Sequence, residues 1–270
     1  MNKKIKIIAE IGWNHMGEIS LAKKMIKSAA ENGADMVKLQ TWSECNLRQG
    51  PWDNDGRRQI YKKAELNEPD YLELKKFSKK NKIELFTSLF NLNDYGKISK
   101  CKFPIIKIPS HETYNIKLIK FCLERFEILL ISTGASKWNE IKKISKLKNF
   151  KNKIFLMHCV SSYPSEANMT NIPRIEKLKK LTSNIGFSGH YQGIDDAIIA
   201  ISMGATYIEK HFTIDNDLPG RDNKFALLPK DLKRLSQFRD NFIEMKKYRG
   251  LDLQKSEYDI FRNYRGRWGA

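Results

Sequence analysis

The sequence predicts an α/β chain closed as a single (β/α)₈ TIM barrel, on three observations. Eight short β-branched runs alternate with longer amphipathic segments, the pattern of parallel strands joined by helices. Nearly every run finishes on polar or ionisable residues, as strands do when their C-termini converge on one mouth. The chain's 270 residues, 41% of them hydrophobic, suffice for one large core, and such barrels run near this length as one domain. Eight units without a large insertion favour a closed barrel over an open sheet.

The candidate strands are Lys6–Glu10, Met36–Gln40, Ile83–Ser88, Ile105–Ile108, Ile128–Thr133, Ile154–Cys159, Ile185–Ser188 and Thr206–His211. Ser20 is placed to cap a helix containing Leu21, Met25 and Ile26, which Gly33 follows. Ser136 is placed to cap a second helix through Trp138, Ile141 and Ile144. Pro229 opens the last long helix, with Leu232, Leu235 and Phe238 on one face. The segment Ser43–Asn67, with Trp52, Asp53, Asn54, Asp55 and Gly56, reads as a long loop over the mouth, either a lid or a dimer contact. The expected organisation is a barrel over residues 1–247 and an Arg/aromatic tail over 248–270.

Composition narrows the classes. No stretch approaches the roughly 20 continuous apolar residues of a membrane helix. Met1-Asn2-Lys3-Lys4 leads into Ile5-Lys6-Ile7-Ile8-Ala9-Glu10 without the apolar core of about 7–15 residues that a signal peptide needs. A cytoplasmic protein without a membrane partner is expected. Cys45, Cys101, Cys122 and Cys159 lack CxxC spacing and indicate neither a zinc knuckle nor a disulfide framework, so they are expected to be reduced and structural. The formal charge of +18 raises the possibility of a non-catalytic, RNA-binding or scaffold barrel. The lysines are instead spread along predicted helices (Lys23, Lys24 and Lys27; Lys142, Lys143, Lys146 and Lys148), and no basic block is interleaved with aromatics. No nucleic-acid partner is expected, although a positive field would gather anionic substrates.

The strand ends carry Glu10; Lys38 and Gln40; Thr87 and Ser88; Lys107, then Ser110; Ser132 and Thr133; His158; Ser188, then His190; and Glu209 and His211. Desolvating unpaired polar groups costs on the order of 1–3 kcal/mol each, so this many point to a site. His190 and His211 end adjacent strands. Two imidazoles with a carboxylate suit a divalent transition metal with open positions, and Glu209 and Asp222 are nearby acids. Lys38 and Lys107 interrupt apolar strands. With Ser88, Ser110, Ser132 and Ser188 they could bind a phosphate and a carboxylate. Alternatively they lie outside the barrel between helices, or one is the Schiff-base nucleophile of an aldolase.

Seven motifs occur in order along the chain: Ala9-Glu10-Ile11-Gly12 with Asn14-His15; Val37-Lys38-Leu39-Gln40-Thr41; Lys107-Ile108-Pro109-Ser110-His111-Glu112; Ser132-Thr133-Gly134; His158-Cys159 with Tyr163-Pro164; Gly186-Phe187-Ser188-Gly189-His190; and Glu209-Lys210-His211-Phe212-Thr213 with Pro219-Gly220-Arg221-Asp222. With them the chain resembles the sialic acid synthase family, which makes N-acetylneuraminate, legionaminate and pseudaminate. The resemblance implies condensation of phosphoenolpyruvate with a sugar aldehyde, an aldose or N-acylhexosamine, to a 3-deoxy-2-keto sugar acid with release of phosphate. It implies phosphoenolpyruvate contacts at Lys38, Ser88, Lys107, Ser110, Ser132 and Ser188. It implies a divalent ion, manganese or similar, on His190 and His211, and catalytic acids at Glu10, Glu112 and Asp222. Asn14, Gln40 and Tyr163 would contact the sugar, and a homodimer is expected.

The chain departs from that family in three places. Ser161 stands where an asparagine is usual beside the phosphate. The chain stops too soon for the usual C-terminal antifreeze-like domain, which supplies an arginine to the partner's site. The tail Arg262-Asn263-Tyr264-Arg265-Gly266-Arg267-Trp268 either replaces it, with Arg265 or Arg267 reaching the acceptor, or is an ordinary solvated or disordered terminus. Arg221 and Phe225 depart from an N-acetylmannosamine site and leave room for another acceptor, such as a bacillosamine-derived hexose or a shorter aldose.

Overall fold

The computed structural model describes residues 4–51 and 53–269; Met1, Asn2, Lys3, Trp52 and Ala270 lie outside the described residues. Eight parallel strands close in sequential order. They are β1 (Lys6–Gly12), β2 (Met36–Thr41), β3 (Glu84–Leu89), β4 (Ile105–Ile108), β5 (Ile128–Ser132), β6 (Ile154–Cys159), β7 (Ile185–Gly189) and β8 (Tyr207–His211). The β-branched runs thus coincide with the strands. Their limits match the expected ones at β4 and β6 and shift by one or two residues elsewhere. Lys6 pairs with Tyr207 and Glu10 with His211, which seals the first strand to the last.

The helices are α1 (Ile19–Glu31), α2 (Arg57–Ala64), α3 (Glu68–Lys80), α4 (Ile116–Arg125), α5 (Trp138–Ile144), α6 (Phe150–Lys153), α7 (Arg174–Lys179), α8 (Asp195–Ser202) and α9 (Pro229–Met245). Their buried stripes, such as Met25 and Ile26 of α1, Tyr71 and Leu74 of α3, and Leu232 and Leu235 of α9, cover the outer face of the sheet. Strand residues that face either way, such as Ile7 and Ile8, are fully buried, as expected where helices cover one face and barrel-filling side chains the other. Among the described residues no helix is long and apolar enough to cross a membrane. The chain divides into two compact units, one ending at Arg239 and one beginning at Asp240.

Two expected helix caps are corrected. Glu18, in extended backbone, occupies the N-cap of α1 without a side-chain bond, and Ser20 is already helical. The Ser136 hydroxyl donates to the Gly134 carbonyl, so Lys137 becomes the N-cap of α5 and its N–H donates to Glu140 at 2.7 Å. In both cases a serine near a helix start finds another place before it can cap the first turn.

The segment between β2 and α3 is not structureless. It contains a one-turn 3₁₀ helix, Glu44–Asn46, and α2. Trp13, Trp42 and Ala64 form a small buried cluster against which Ile60, Tyr61 and Phe90 pack. The Trp42 indole N–H donates to the Tyr61 carbonyl at 3.1 Å. Gly17, at φ +81°, leaves room for the Lys63 carbonyl, which would lie 2.1 Å from a Cβ there. Arg221, after β8, meets Asp55 at 3.5 Å. The segment is therefore seated on its own barrel, across the β1 and β8 loops.

Candidate active site

Strand register and the two-residue alternation of side chains set the mouth. Glu10 lies beside Lys38 on one side and His211 on the other; Gln40 lies beside Ser88, Ser88 beside Lys107, and Ser188 beside Glu209. Lys38 Nζ meets Glu10 Oε2 at 2.6 Å and donates to Ser88 Oγ at 2.8 Å. Gln40 Nε2 donates to Glu10 Oε1 at 2.6 Å. Lys107 Nζ forms a short ion pair with Glu209 and donates to Ser188 Oγ at 3.1 Å. The Ser188 hydroxyl donates to Glu209 Oε1 at 3.1 Å, and Lys38 stands 3.9 Å from Glu209.

Both lysines are therefore inside the barrel, not between helices. They are also not free cations, as a simple anion pocket would have them. Glu10 and Glu209 neutralise them in a buried network of two ammoniums and two carboxylates. Burial raises Glu10 to about 7 even though Lys38 pulls it back. Burial also opposes ionisation of Glu209, but Lys107 and Lys38 outweigh it and hold that carboxyl below its ordinary value. The two acids are thus set apart by their surroundings, the condition under which one can exchange a proton while the other stays charged.

Hydroxyls gather on the β4–β6 side. Ser132 Oγ is buried and, among the described residues, has no hydrogen-bond partner. Ser110 Oγ donates to Cys159 Sγ at 3.5 Å. Gly134 has no side chain where a Cβ would lie 2.5 Å from Ser161 Oγ, 2.8 Å from Ser110 Oγ and 3.1 Å from Cys159 Sγ. Ser110, Ser161 and Cys159 thus close on Gly134, where only glycine fits, and Ser132 at the end of β5 carries an unspent hydroxyl.

On β7 and β8 the His190 and His211 rings lie 5.4 Å apart. His190 Nδ1 contacts the Val160 carbonyl at 2.7 Å; burial opposes a charge on this ring, but Cys159 beside it raises its pKa above the ordinary value. Burial and the neighbouring cations keep His211 neutral, well below its ordinary pKa, and its Nδ1 is 3.4 Å from Asp222 Oδ2. Burial raises Asp222 to about 6. Tyr163 stacks on His190 at 4.1 Å, and Phe225 lies 5.1 Å from His211. Among the described residues no group of three or more His, Cys, Asp or Glu could hold a metal ion. Two adjacent imidazoles with a carboxylate behind one of them still fit an open divalent site whose other positions go to water and substrate.

Residues 25–249 match the NeuB family. The chain belongs to the NeuB family. It is 33% identical over 249 residues to the N,N'-diacetyllegionaminic acid synthase of Campylobacter jejuni, covering 86% of this chain and 75% of that one. It is 31% identical to the enzyme of the same name from Legionella pneumophila, over 86% of this chain and 70% of that one. Among solved structures, the N-acetylneuraminic acid synthetase of Leptospira borgpetersenii in complex with citrate superposes with a TM-score of 0.86 at 32% identity, covering 98% of this chain and 94% of that one. The chain is accordingly a sialic acid synthase-like enzyme of the transferase type.

Within this NeuB-family site the remaining expected residues have varied positions. Glu112 is half-buried in the one-turn helix Ser110–Glu112, where burial raises its carboxyl and Asn115 Nδ2 donates to it at 2.8 Å. Asn14 commits its amide N–H to the Phe212 carbonyl at 2.9 Å, joining the β1 and β8 loops, while its buried Oδ1 has no partner among the described residues. Arg265 and Arg267 belong to the second unit, where they stack on Phe261 and Tyr264 at 4.9 and 5.6 Å.

Two polar strand ends are corrected. Thr87 faces the helices, bonded to Thr41 Oγ1 at 2.8 Å, and Thr41 in turn reaches Tyr71 of α3. His158 faces out to the Thr170 carbonyl at 2.8 Å. The β6 side chain in the mouth is instead Cys159, whose thiol burial would raise but His190 and Lys107 draw down to about 7. Glu209 had been noted only as an acid near the histidines. Alternation along Glu209-Lys210-His211 was the signal that both flanking residues face the same way.

Glu209→Gln keeps the shape but leaves Lys107 buried without its counter-ion. It should lower unfolding free energy by about 3 kcal/mol or more, read from urea denaturation. A loss within 0.5 kcal/mol would mean that water, not Glu209, solvates Lys107.

Proposed function

We propose that this chain condenses phosphoenolpyruvate with an N-acylated hexosamine or related aldose, giving a 3-deoxy-2-keto sugar acid of the sialic acid type and phosphate. The observation that carries this reading is the buried Glu10–Lys38–Glu209–Lys107 network, with Ser88 and Ser188 bonded into it. It offers cationic donors to a small polyanion and a proton-exchanging carboxylate within one mouth. The relatives' names, which specify N,N'-diacetyllegionaminic acid and N-acetylneuraminic acid, support a product of this type.

In this reading Lys107, Ser110, Ser132 and Ser188 receive the phosphate, with Ser161 as a further hydroxyl, and Lys38 and Ser88 receive the carboxylate. An arriving polyanion competes with Glu10 and Glu209 for the two ammoniums, so binding is an exchange of anionic partners. A divalent ion such as manganese, held by His190 and His211, would polarise the sugar aldehyde. Gln40, Glu112, Tyr163 and Asp222, with Asn14 behind them, orient the sugar so that its aldehyde carbon faces C3 of phosphoenolpyruvate. The C3–C bond forms as the C2=C3 double bond is spent and the aldehyde C=O π bond opens, leaving positive charge at C2 and an alkoxide that takes a proton from water to become a hydroxyl. Glu10 takes a proton from the water that adds to C2. Breaking the C2–O bond then releases phosphate with its electron pair, the new C2 hydroxyl loses its proton, and C2 becomes the ketone. Both ammoniums act as fixed charges, so no Schiff base is required. We further propose that Arg265 and Arg267 contact the sugar.

A phosphate-release screen with phosphoenolpyruvate, manganese and a panel of aldoses and N-acylated hexosamines tests the reading. Release with no acceptor in the panel would overturn it. With the productive acceptor, Lys107→Met should raise KM for phosphoenolpyruvate on the order of ten- to a hundredfold; an unchanged KM removes Lys107 from the phosphate site. As a base, Glu10 must be ionised, so kcat/KM should fall as pH drops through about 7. Glu10→Gln should abolish that acid limb along with most turnover, and a limb that persists assigns it to another group. Deleting the residues after Tyr258 should raise KM for the sugar. Full activity in that truncated chain rejects Arg265 and Arg267 as contacts.

A further inference from the structure

Between Glu209 and His211, Lys210 faces the opposite way, into the helix layer. Its Nζ donates to both carboxylate oxygens of Asp196, each at 2.8 Å, and to the Tyr191 carbonyl at 2.7 Å. Both side chains of the pair are almost wholly buried. Asp196 also accepts from the Ala197 N–H at 2.8 Å, which fixes it at the start of α8.

This contact reaches both sequence neighbours of His190. Tyr191 is the next residue. Gly189 is the preceding one, and a Cβ there would lie 2.3 Å from Asp196 Oδ2, so the carboxylate occupies the space a side chain would need. The backbone on both sides of His190 is therefore held by one ammonium–carboxylate pair. The His190 carbonyl accepts from the Ser165 N–H at 3.0 Å, and its ring bonds to Val160. The ammonium itself sits on the residue before His211. A single buried contact thus ties together the backbones that carry the two imidazoles.

Buried ion pairs are poor devices for stability, because desolvation offsets most of the attraction. Apolar side chains would hold β8 to α8 as well. They would not grip a backbone carbonyl beside His190. We propose that Lys210 and Asp196 are positioning residues, which set the separation and orientation of the His190 and His211 imidazoles from outside the barrel. This rests on reading those imidazoles as ligands of a divalent ion. Partners that orient ligand histidines typically change metal affinity by about 10- to 100-fold when removed.

The test uses the full chain with Lys210→Met, and with Lys210→Met/Asp196→Leu, which leaves no unpaired buried charge and keeps a folded reference. Manganese affinity is read from the loss of the free-ion EPR signal. The imidazole ¹H–¹⁵N spectrum of the metal-free protein is recorded alongside; with five histidines in the chain, each ring can be assigned. Manganese should bind about tenfold or more weakly in both variants, even where the double variant regains the thermal stability of the original chain. The His190 and His211 signals should move while those of His15 and His111 stay. A folded double variant that binds manganese as tightly as the original, with all five rings unmoved, overturns the proposal. Should the unaltered chain bind no manganese, the metal reading fails separately, and the imidazole spectrum alone decides whether the pair positions the rings.

Discussion

Closure of the barrel between β1 and β8 is the constraint on which the site depends. Glu10 and Glu209 stand at the ends of the first and last strands, yet each neutralises a lysine within one buried network. An open sheet with the same strands would leave Glu10 at one edge and Glu209 at the other. Lys107, on β4, reaches across the interior to Glu209 and Ser188 instead of using a neighbour on its own side. Such reach is available only where strands converge on a common axis, so the Lys107–Glu209 pair is a property of the closed ring, which brings it beside the Glu10–Lys38 pair of neighbouring strands.

That network has a chemical consequence. Ammoniums that are already paired attract a polyanion less than bare ones would, but they can be kept buried without one. Lys38 and Lys107 would otherwise be costly to hold dry. The carboxylates keep them in place until a ligand takes over their role. Because Glu10 and Glu209 are shifted in opposite directions, displacement need not affect them equally. Glu10 can leave its ammonium by accepting a proton, whereas Glu209 keeps its charge. The +18 formal charge of the chain then assists approach, while local neutrality governs the resting state.

Much of this was legible in the sequence, and the failures have physical causes. β-branched runs located all eight strands because covered strands need apolar side chains on both faces. Lys38 and Lys107 stood out because lysine within such a run is costly unless the interior provides partners. Their partners did not stand out, since pairing between β4 and β8 is set by the ring's geometry and not by proximity in sequence. Polar strand ends were overcounted for a related reason. Thr87 and His158 end strands too, but alternation turns them to the helices, where Thr41 and the Thr170 carbonyl satisfy them. Ser20 and Ser136 misled because the preference for serine near a helix start does not specify which turn it caps.

The same alternation separates two duties along one strand. In Glu209-Lys210-His211 the first and third residues enter the mouth, while the second grips α8 and the loop after β7. A strand that contributes an acid and an imidazole to the interior needs its own position fixed, and the only side chain free to do so is the one facing out. An apolar residue there would pack but could not sense the position of the neighbouring loop. A lysine with three acceptors of fixed direction can. Buried polarity on the outside of the barrel is thus the counterpart of chemistry within it: the ionic contact that adds little to stability restricts where the reactive groups can stand.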